Sequence, residues 1–319
     1  MPFDLDRREF LAGTTALALG RGLQARPYTF EPTADGRVLK SGDGRIAFEY
    51  LTTKPAGLTS ESACCFHPVN TPAGERLTDL APKDHTTHRG VFLAWHAMEF
   101  RTPEPARADF WGWGRYAPTA GRVITNRDLH LVSADASSAV VAIENDWSID
   151  GTRVLVERTT ARWHGAADAN TLDLTFVLTP DVEGTIDRQA FGGFCARARN
   201  DGESWLSNAA GRVELPNSNA GNPDLNWPAA DWYAYSITPA GGRTIGWAVI
   251  DHPSNRTASW HEPRSVHFLQ PAIMAQAPVP LAKGQPLTLR YRVALFDGDV
   301  PATLLGKLAD EWRSGNRVS

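Results

Sequence analysis

Apolar and polar residues alternate strictly along several stretches of the chain. The alternation is clearest in "RIAFEYL" (45–51), "TLDLTFVL" (171–178) and "LTLRYRVALF" (287–296). Because successive side chains of a strand point to opposite faces, this period of two predicts half-buried antiparallel strands. Further strands are predicted at "RVITN", "LHLVS", "AVVAIENDW", "TRVLVERTTARW" and "TIGWAVID", between turn sequences such as "SGDG", "SIDGT" and "PAGGR".

One helix is predicted at the C-terminal end of the chain. Asp299 is expected to cap it and Pro301 suits its first turn. Its apolar stripe consists of Leu304, Leu305, Leu308 and Trp312. Many strands with few helices, no fixed repeat and no low-complexity linker favour a mostly β fold, a large antiparallel β-sandwich with a short C-terminal helix.

The N-terminal sequence "LDRREFLAGTTALALGRGLQARP" resembles a bacterial twin-arginine export signal, with Arg7 and Arg8 before a short apolar run and Ala25 at its end. We therefore expect a signal peptide over 1–25, an N-terminal lead-in over 26–43, and a single β-sandwich domain over 44–319. The resemblance implies a periplasmic or secreted protein. No apolar run is long enough to predict a membrane-spanning helix.

Composition narrows the possible partners of the chain. Its 319 residues are 42% hydrophobic and 21% charged, with a net charge of −4, and the basic residues are scattered, which argues against nucleic acid as a partner. Three cysteines are too few for a disulfide framework, although a bond between the adjacent Cys64 and Cys65 stays open. Eleven tryptophans suit core packing and also stacking on sugar rings. No nucleotide-binding loop or acyl-enzyme motif is present. The oligomeric state stays open.

The first polar cluster lies in "DHTTHRG" (84–90), just before the predicted strand "VFLAWH". Its H-x-x-H spacing can supply two metal ligands, with Asp84 or His96 as a third. Alternatively, His85 and His88 are suited to proton transfer, and Arg89 to binding a carboxylate or an oxyanion. A solvated loop without function is the third interpretation.

The second polar cluster follows the strand "TIGWAVI" in "DHPSNRTASWHEPR" (251–264). It also begins with an Asp–His pair, and two such segments on one sheet-built scaffold predict a converging site. Its candidate residues are Asp251, His252, Asn255, Trp260, His261 and Arg264. Weaker candidates lie in "ADFWGWGRY" (108–116), "LVERTTARWHG" (155–165) and "FGGFCARAR" (191–199), where structural ion pairing is the default for the basic residues.

These segments, in order, resemble a bacterial family usually labelled "methane oxygenase PmoA-like", over roughly residues 44–313. The resemblance implies a β-sandwich similar to the galactose-mutarotase-like supersandwich, and a role in carbohydrate use. The label conflicts with the lack of a spanning helix, because the true methane monooxygenase subunit is embedded in the membrane. The family segment reads D-H-P-H-H-R-G; Thr86 and Thr87 replace its Pro and one His here, which weakens the metal interpretation.

We therefore predict an exported carbohydrate-active enzyme, a glycoside hydrolase or lyase acting on a sugar-derived substrate, either unmodified or already oxidised. The histidines His85, His88, His252 and His261 are expected to carry acid/base work, oriented by Asp84 and Asp251. Substrate binding is assigned to Arg89, Trp111, Asn255, Trp260 and Arg264. A sugar epimerase or mutarotase-like enzyme and a non-catalytic sugar-binding protein are the alternatives. No cofactor is required, and a divalent metal stays possible.

Overall fold

The computed structural model describes residues 26–102, 104–214, 216–262 and 266–315. The predicted signal peptide over 1–25 and the candidate Arg264 lie outside the described residues. The described chain forms three antiparallel sheets and a helix at its C-terminal end, which confirms the predicted mostly β fold.

The first sheet has eight strands. In spatial order they are β1 (Thr29–Pro32), β2 (Gly36–Lys40), β3 (Ile46–Leu51), β4 (Cys65–Val69), β5 (Val91–Ala94), β13 (Gly193–Arg197), β19 (Phe268–Ala272) and β18 (Ser259–His261). Residues 26–43, predicted only as a lead-in, thus contribute two paired strands, β1 and β2.

The second sheet has nine strands and includes most of the strands predicted from alternation. In spatial order they are β15 (Gly211–Arg212), β14 (Gly202–Asn208), β16 (Trp232–Pro239), β17 (Ile245–Asp251), β21 (Leu287–Asp297), β11 (Asn170–Pro180), β10 (Thr152–His164), β9 (Ser138–Ile149) and β8 (Arg122–Ala134). The separately predicted "RVITN" and "LHLVS" are two parts of the single long strand β8.

A smaller third sheet and a single turn of 3₁₀ helix complete the strand-rich part. The four strands are β20 (Val279–Leu281), β12 (Gly184–Ile186), β6 (Met98–Thr102) and β7 (Glu104–Ala108). The 3₁₀ turn spans Pro223–Leu225, within the segment "NPDLNWP" (222–228) that leads to β16.

The two large sheets pack face to face around one aromatic core. Phe194 of β13 stacks on Tyr291 of β21 with ring centroids 4.3 Å apart, and Phe48 of β3 contacts Trp163 of β10 at 5.8 Å. All three cysteines are free thiols buried in this fold. The interior-facing residues of β11, Leu172 and Leu174, are fully buried, as their alternation predicts.

The helix α1 (Ala302–Ser314) packs on the face of the nine-stranded sheet that points away from the sandwich. Leu305 and Ala309 are buried there beside Ala248 of β17 and Ala294 of β21. The predicted cap Asp299 is wrong: Pro301 occupies the N-cap position, without a side-chain hydrogen bond. The helix starts too far downstream for the Asp299 carboxylate to reach its first-turn amides. No described helix is long and apolar enough to cross a membrane.

The outer face of the eight-stranded sheet carries the polar side chains that surround the first predicted cluster. Because Phe194 points into the sandwich, its neighbour Cys195 and then Arg197 point to the opposite, outer face. Loops from residues 84–90, 109–116 and 188–192 cover that face.

Candidate functional site

Arg197 is the centre of the candidate site. Its side chain is fully buried at the end of β13. One terminal nitrogen donates to both carboxylate oxygens of Asp84, at 3.0 and 2.9 Å, and the other lies 3.2 Å from Nδ1 of His88. A guanidinium is always charged and has several fixed donors, so it holds both partners in one geometry.

His88 is a neutral, oriented imidazole. Because a guanidinium can only donate, Nδ1 of His88 accepts the hydrogen bond from Arg197 and the ring proton is on Nε2. Burial, followed by the positive charge of Arg197, holds the pKa of His88 well below its ordinary value. The edges of Trp111 and Phe268 pack against the ring, each with centroids 5.5 Å away. His88 is therefore a hydrogen-bond donor through its Nε2–H across the neutral pH range.

Asp84 and His85 form the exposed part of the cluster. Nδ1 of His85 lies 3.1 Å from a carboxylate oxygen of Asp84, and its ring stacks on His88 at 4.8 Å. Partial burial of Asp84 acts to raise its pKa, but the hydrogen bonds from His85 and Arg197 outweigh burial and hold the pKa below its usual range. The side chains of Asp84 and His85 remain 34% and 40% exposed. A substrate in solution can therefore reach this Asp–His pair.

Arg89, which the sequence assigns to substrate binding, is instead part of the scaffold. Its guanidinium is fully buried and donates to the backbone carbonyls of Ala63, Thr87, Phe110 and Trp111 at 2.9 to 3.2 Å. Because the guanidinium donors already bond to these carbonyls, Arg89 has none left for a substrate. Arg89 joins the "DHTTHRG" segment to the loop that carries Trp111.

Gly90 ends the "DHTTHRG" segment with the sharp bend expected from its sequence. Its φ is +61°, and a Cβ at this position would lie 2.2 Å from the carbonyl oxygen of Phe66. Only glycine fits this conformation next to the neighbouring strand β4. The bend turns the chain from the histidines directly into β5.

Trp111 and Trp260 do not provide the predicted stacking platforms. Each is only 1% exposed. Trp111 is enclosed by His88, Phe92 and Phe191, and Trp260 packs inside the sandwich against Tyr233. Stacking on a sugar needs an open ring face, which neither indole has.

The beginning of the second segment lies away from the first cluster. Asp251 pairs with Tyr291 in the nine-stranded sheet, so its side chain faces the sandwich interior. Tyr291 stacks on Phe194, which places β13 between Asp251 and the outer face where His88 lies. The predicted convergence of the two Asp–His pairs is therefore wrong.

Residues 251–255, at the start of the second segment, make the contacts of a turn. Nδ2 of Asn255 donates to a carboxyl oxygen of Asp251 at 2.6 Å and to the carbonyl of Arg290 at 2.7 Å. Burial raises the pKa of Asp251 to about 7, against the hydrogen bonds from Asn255 and the His252 backbone. His252 packs edge-on against Trp312 of α1 and accepts from the Ser254 amide. The predicted catalytic and binding roles of these residues have no counterpart in this geometry.

His261 is the member of the second segment that does reach the first cluster. It lies on β18 directly opposite Gln270 and faces the outer side of the sheet. Phe268 lies between the two histidines, 5.9 Å from His261 and 5.5 Å from His88. Nδ1 of His261 lies 2.9 Å from the amide oxygen of Asn226, so Nδ1 carries the proton. Burial and the neighbouring His96 lower the pKa of His261 to about 3.

A cavity of about 360 Å³ lies on the other side of Arg197, between the sheets at the rim of the sandwich. Among its lining residues are Glu262, His267, Tyr235 and Trp205. Burial raises the pKa of Glu262 well above its ordinary value, opposed by the charge of Arg197. Burial followed by Arg197 lowers the pKa of His267. A larger groove of about 840 Å³ lies elsewhere, near Asp43 and Arg45, and its described lining contains no histidine.

Three groups of the site were missed from sequence: Asn226, His267 and Gln270. Each is an isolated polar residue in an ordinary strand or turn sequence, so no local pattern marks it. Arg197 lies in "FGGFCARAR" (191–199), one of the segments that the sequence marks as weaker candidates. Glu157, also noted, bonds inside the sandwich to Asn145, Trp147 and Thr159. Among the described residues, no group of three or more His, Cys, Asp or Glu is arranged to hold a metal ion.

Solved structures with a similar fold share very little sequence with this chain. A galactose mutarotase related enzyme from Lactobacillus acidophilus is 9% identical with a TM-score of 0.36, over 86% of this chain and 100% of that one. A galactose mutarotase-like protein from Lactobacillus casei is 7% identical with a TM-score of 0.39, over 84% and 99%. A GH36 α-galactosidase from Geobacillus stearothermophilus is 9% identical with a TM-score of 0.40, over 86% and 39%. Likenesses this remote do not assign a function.

The family of the chain differs from the one that its motifs suggested. No curated protein gave a match. One family model matches residues 38–310, which is most of the chain, and it describes a family of unknown function. This finding overturns the resemblance to the methane oxygenase PmoA-like family, which is wrong. The chain belongs to the Family of unknown function (DUF6807).

Proposed function

We propose that this chain is a carbohydrate-active enzyme that abstracts a proton from a sugar-derived, oxidised substrate, as a lyase or an epimerase does. One observation carries the proposal. An exposed Asp84–His85 pair is fixed by the buried Arg197 beside a neutral, oriented His88. These groups form a base and a hydrogen-bond donor side by side.

His85 is the base in this proposal. Asp84 is ionised and can only accept, so it takes the Nδ1 proton of His85 and leaves a lone pair on Nε2. Arg197 fixes the carboxylate, and the carboxylate fixes the imidazole. Asp84 and Arg197 are thus positioning residues, whereas His85 touches the substrate.

His88 stabilises the charge that the base creates. When Nε2 of His85 takes a proton from a carbon next to a carbonyl, the C–H electron pair forms a C=C bond and the carbonyl oxygen becomes negative. The Nε2–H of His88 donates to that oxygen, as a neutral imidazole can. Return of the proton to the opposite face gives an epimer, and loss of a β-substituent gives an unsaturated product.

The geometry favours proton abstraction over the glycoside hydrolysis that the sequence left open. Most glycosidases place two carboxyl groups on either side of the scissile bond. Here Asp84 is the only carboxylate hydrogen-bonded within the exposed cluster of described residues, and Glu262 is buried beyond Arg197. The non-catalytic binding alternative loses its support because Trp111 and Trp260 are enclosed.

Carbohydrate is the proposed substrate class because aromatic rings and neutral hydrogen-bonding groups share this face. Trp113 and Tyr116 are partly exposed and pack around His96, with centroids 5.4 and 5.5 Å away. Sugars present C–H faces to aromatic rings and hydroxyls to donors and acceptors. We also propose that the enzyme works outside the cytoplasm, on the strength of the twin-arginine resemblance over 1–25.

Deuterium wash-in tests the proposal without knowledge of the final product. The wild type is incubated in D₂O with a panel of uronic acids and keto sugars, with and without a chelator, and exchange is followed by proton NMR. We expect exchange at a carbon next to a carbonyl, and a fall of about 100-fold or more in His85→Gln.

The matched control is His130→Gln. Nδ1 of His130 also lies 2.8 Å from an aspartate oxygen, that of Asp128, and its side chain is also exposed. Among the residues that the structure describes, no buried arginine or second histidine contacts it. We expect full exchange in this variant. Equal exchange in His85→Gln and the wild type, or no exchange with any sugar of the panel, would contradict the proposal.

A further inference from the structure

Two buried side chains beneath the 188–192 loop have unsatisfied polar groups. Both amide atoms of Gln270 lack a hydrogen bond, and the imidazole of His96 has a side-chain contact with Gln189 but no hydrogen bond of good geometry. His96 is 1% exposed and Gln270 is fully buried. Buried polar atoms in proteins are nearly always paired. The unsatisfied amide of Gln270 therefore calls for a ligand or an alternative state.

The backbone places these groups around a small floor. Gln270 is opposite His261 in the pairing of β18 with β19, so both face outward. The next outward positions along the adjoining strands include the small residues Ala94 and Ala272, whereas the space over Gly193 is filled by the ring of Trp95. Residues this small leave a depression in the sheet surface, with His96 on one side and the Gln270–His261 pair on the other.

The ring of Phe191 fills this depression. It stacks on His96 with centroids 4.0 Å apart and on His261 at 5.3 Å, so that it lies between the two imidazoles. The rings of Trp111 and Trp113 meet it edge-on at 5.4 and 4.8 Å. Phe191 thus occupies an aromatic slot whose polar walls it cannot satisfy.

Two glycines follow Phe191 at the C-terminal end of its loop. Gly192 and Gly193 have φ of +128° and +89°, a backbone region that other residues rarely adopt. Just before Phe191, the carbonyl of Ala190 accepts a hydrogen bond from Nδ2 of Asn226 at 2.7 Å. The same Asn226 accepts from His261, so one amide links the loop to the imidazole beneath it.

We propose that Phe191 is a plug, and that the slot it fills is a subsite for a neutral, hydroxylated sugar ring. The ligand class rests on the proposed function. The sugar displaces the Phe191 ring, places its C–H faces against the imidazole rings of His96 and His261 between which Phe191 lies, and offers hydroxyls to the amide of Gln270. Burial lowers the pKa of His96 to about 3, opposed by the side-chain contact with Gln189, so the walls are uncharged and suit a neutral ligand.

Phe191→Ala tests the plug by binding alone, with glucose, galactose and mannose as probes in calorimetry. Removing the plug removes the cost of displacing it, so we expect affinity for at least one sugar to rise about tenfold. Phe30→Ala is the matched control, because Phe30 is 7% exposed like Phe191 but lies on β1. Affinity that is unchanged or weaker in Phe191→Ala, or raised equally in Phe30→Ala, overturns the plug.

Gln270→Leu tests the subsite in a second way. If the amide is unpaired until sugar binds, its loss raises the melting temperature of the free protein and weakens sugar binding about tenfold or more. A lower melting temperature with unchanged binding overturns the subsite. These binding results are independent of deuterium wash-in. Sugar binding without deuterium exchange contradicts the proposed function alone. Exchange without the expected changes in affinity and melting temperature contradicts the subsite alone.

Discussion

The chain contains two Asp–His pairs with similar sequences and very different surroundings. Asp84–His85 lies at the surface and is held by the buried guanidinium of Arg197, with a second imidazole stacked beneath it. Asp251–His252 ends β17, where the carboxyl turns into the sandwich and the imidazole packs on the C-terminal helix. The two pairs have the same residue types, but the first lies at the surface whereas the carboxyl group of the second points into the core.

The difference shows that the third partner, and not the pair itself, decides what an Asp–His sequence does. Arg197 is distant in sequence from Asp84 and reaches it only because β13 and β5 are neighbours. It lowers the pKa of Asp84 and orients the carboxylate toward His85. Asn255, four residues from Asp251, closes a local turn instead. The charged partner from another strand holds Asp84–His85 at the surface, and the neutral partner from the same loop closes a turn at Asp251.

Arg89→Met is expected to give the largest effect, a loss of about 3–5 kcal/mol in the free energy of unfolding. The variant leaves backbone carbonyls such as those of Ala63 and Phe110 buried without a donor. Chemical denaturation measures the loss. Arg256→Met is the control, because Arg256 is exposed and donates to one carbonyl, that of Pro278. Similar losses in both variants would show that Arg89 is not part of the scaffold.

The fold was predictable from sequence where each strand carries its own signal. The strict alternation of 171–178 and 287–296 predicted β11 and β21, which pair with each other through the middle of the nine-stranded sheet. The lead-in over 26–43 lacked such a signal, because β1 and β2 are short strands at the edge of their sheet. Edge strands are stabilised by pairing with a neighbouring strand, and the local sequence pattern does not indicate that pairing.

The site was predictable only in part, for a related reason. "DHTTHRG" pointed to His85 and His88 because several polar residues precede an apolar strand. The pairing of strands, which sequence did not provide, decides that His261 joins them and that His252 does not. The same pairing makes Arg89, which the sequence assigns to substrate binding, a buried scaffold residue and makes Arg197 the charged partner of Asp84.

The pH dependence of stability is expected to differ between the carboxyl groups of Asp84 and Asp251. The effect is smaller than that of Arg89→Met. The pKa of Asp251 is raised to about 7 in the folded protein, against about 3.9 in an unfolded chain. The folded state therefore binds this proton more tightly, and its contribution to stability is lost as pH rises from about 4 to about 7. The pKa of Asp84 is lowered, so its contribution is present above about pH 4 and lost below.

Thermal unfolding between about pH 5 and about pH 8 checks this difference. We expect the wild type to lose melting temperature toward high pH, and Asp251→Asn to lose less. Asp84→Asn should keep the wild-type slope over this range. The same slope in the wild type and Asp251→Asn would show that the folded protein does not hold the Asp251 proton.

One measurement tests most directly the claim that the Asp84–His85 pair works and the Asp251–His252 pair does not. The same substitution, aspartate to asparagine, is made in each pair, and deuterium wash-in is compared on the sugar that the wild type exchanges fastest. The amide of Asp84→Asn cannot hold His85 in its basic tautomer, so we predict a fall of about 100-fold. Asp251→Asn should stay within about twofold of the wild type. Equal losses in the two variants, or a larger loss in Asp251→Asn, would contradict the account.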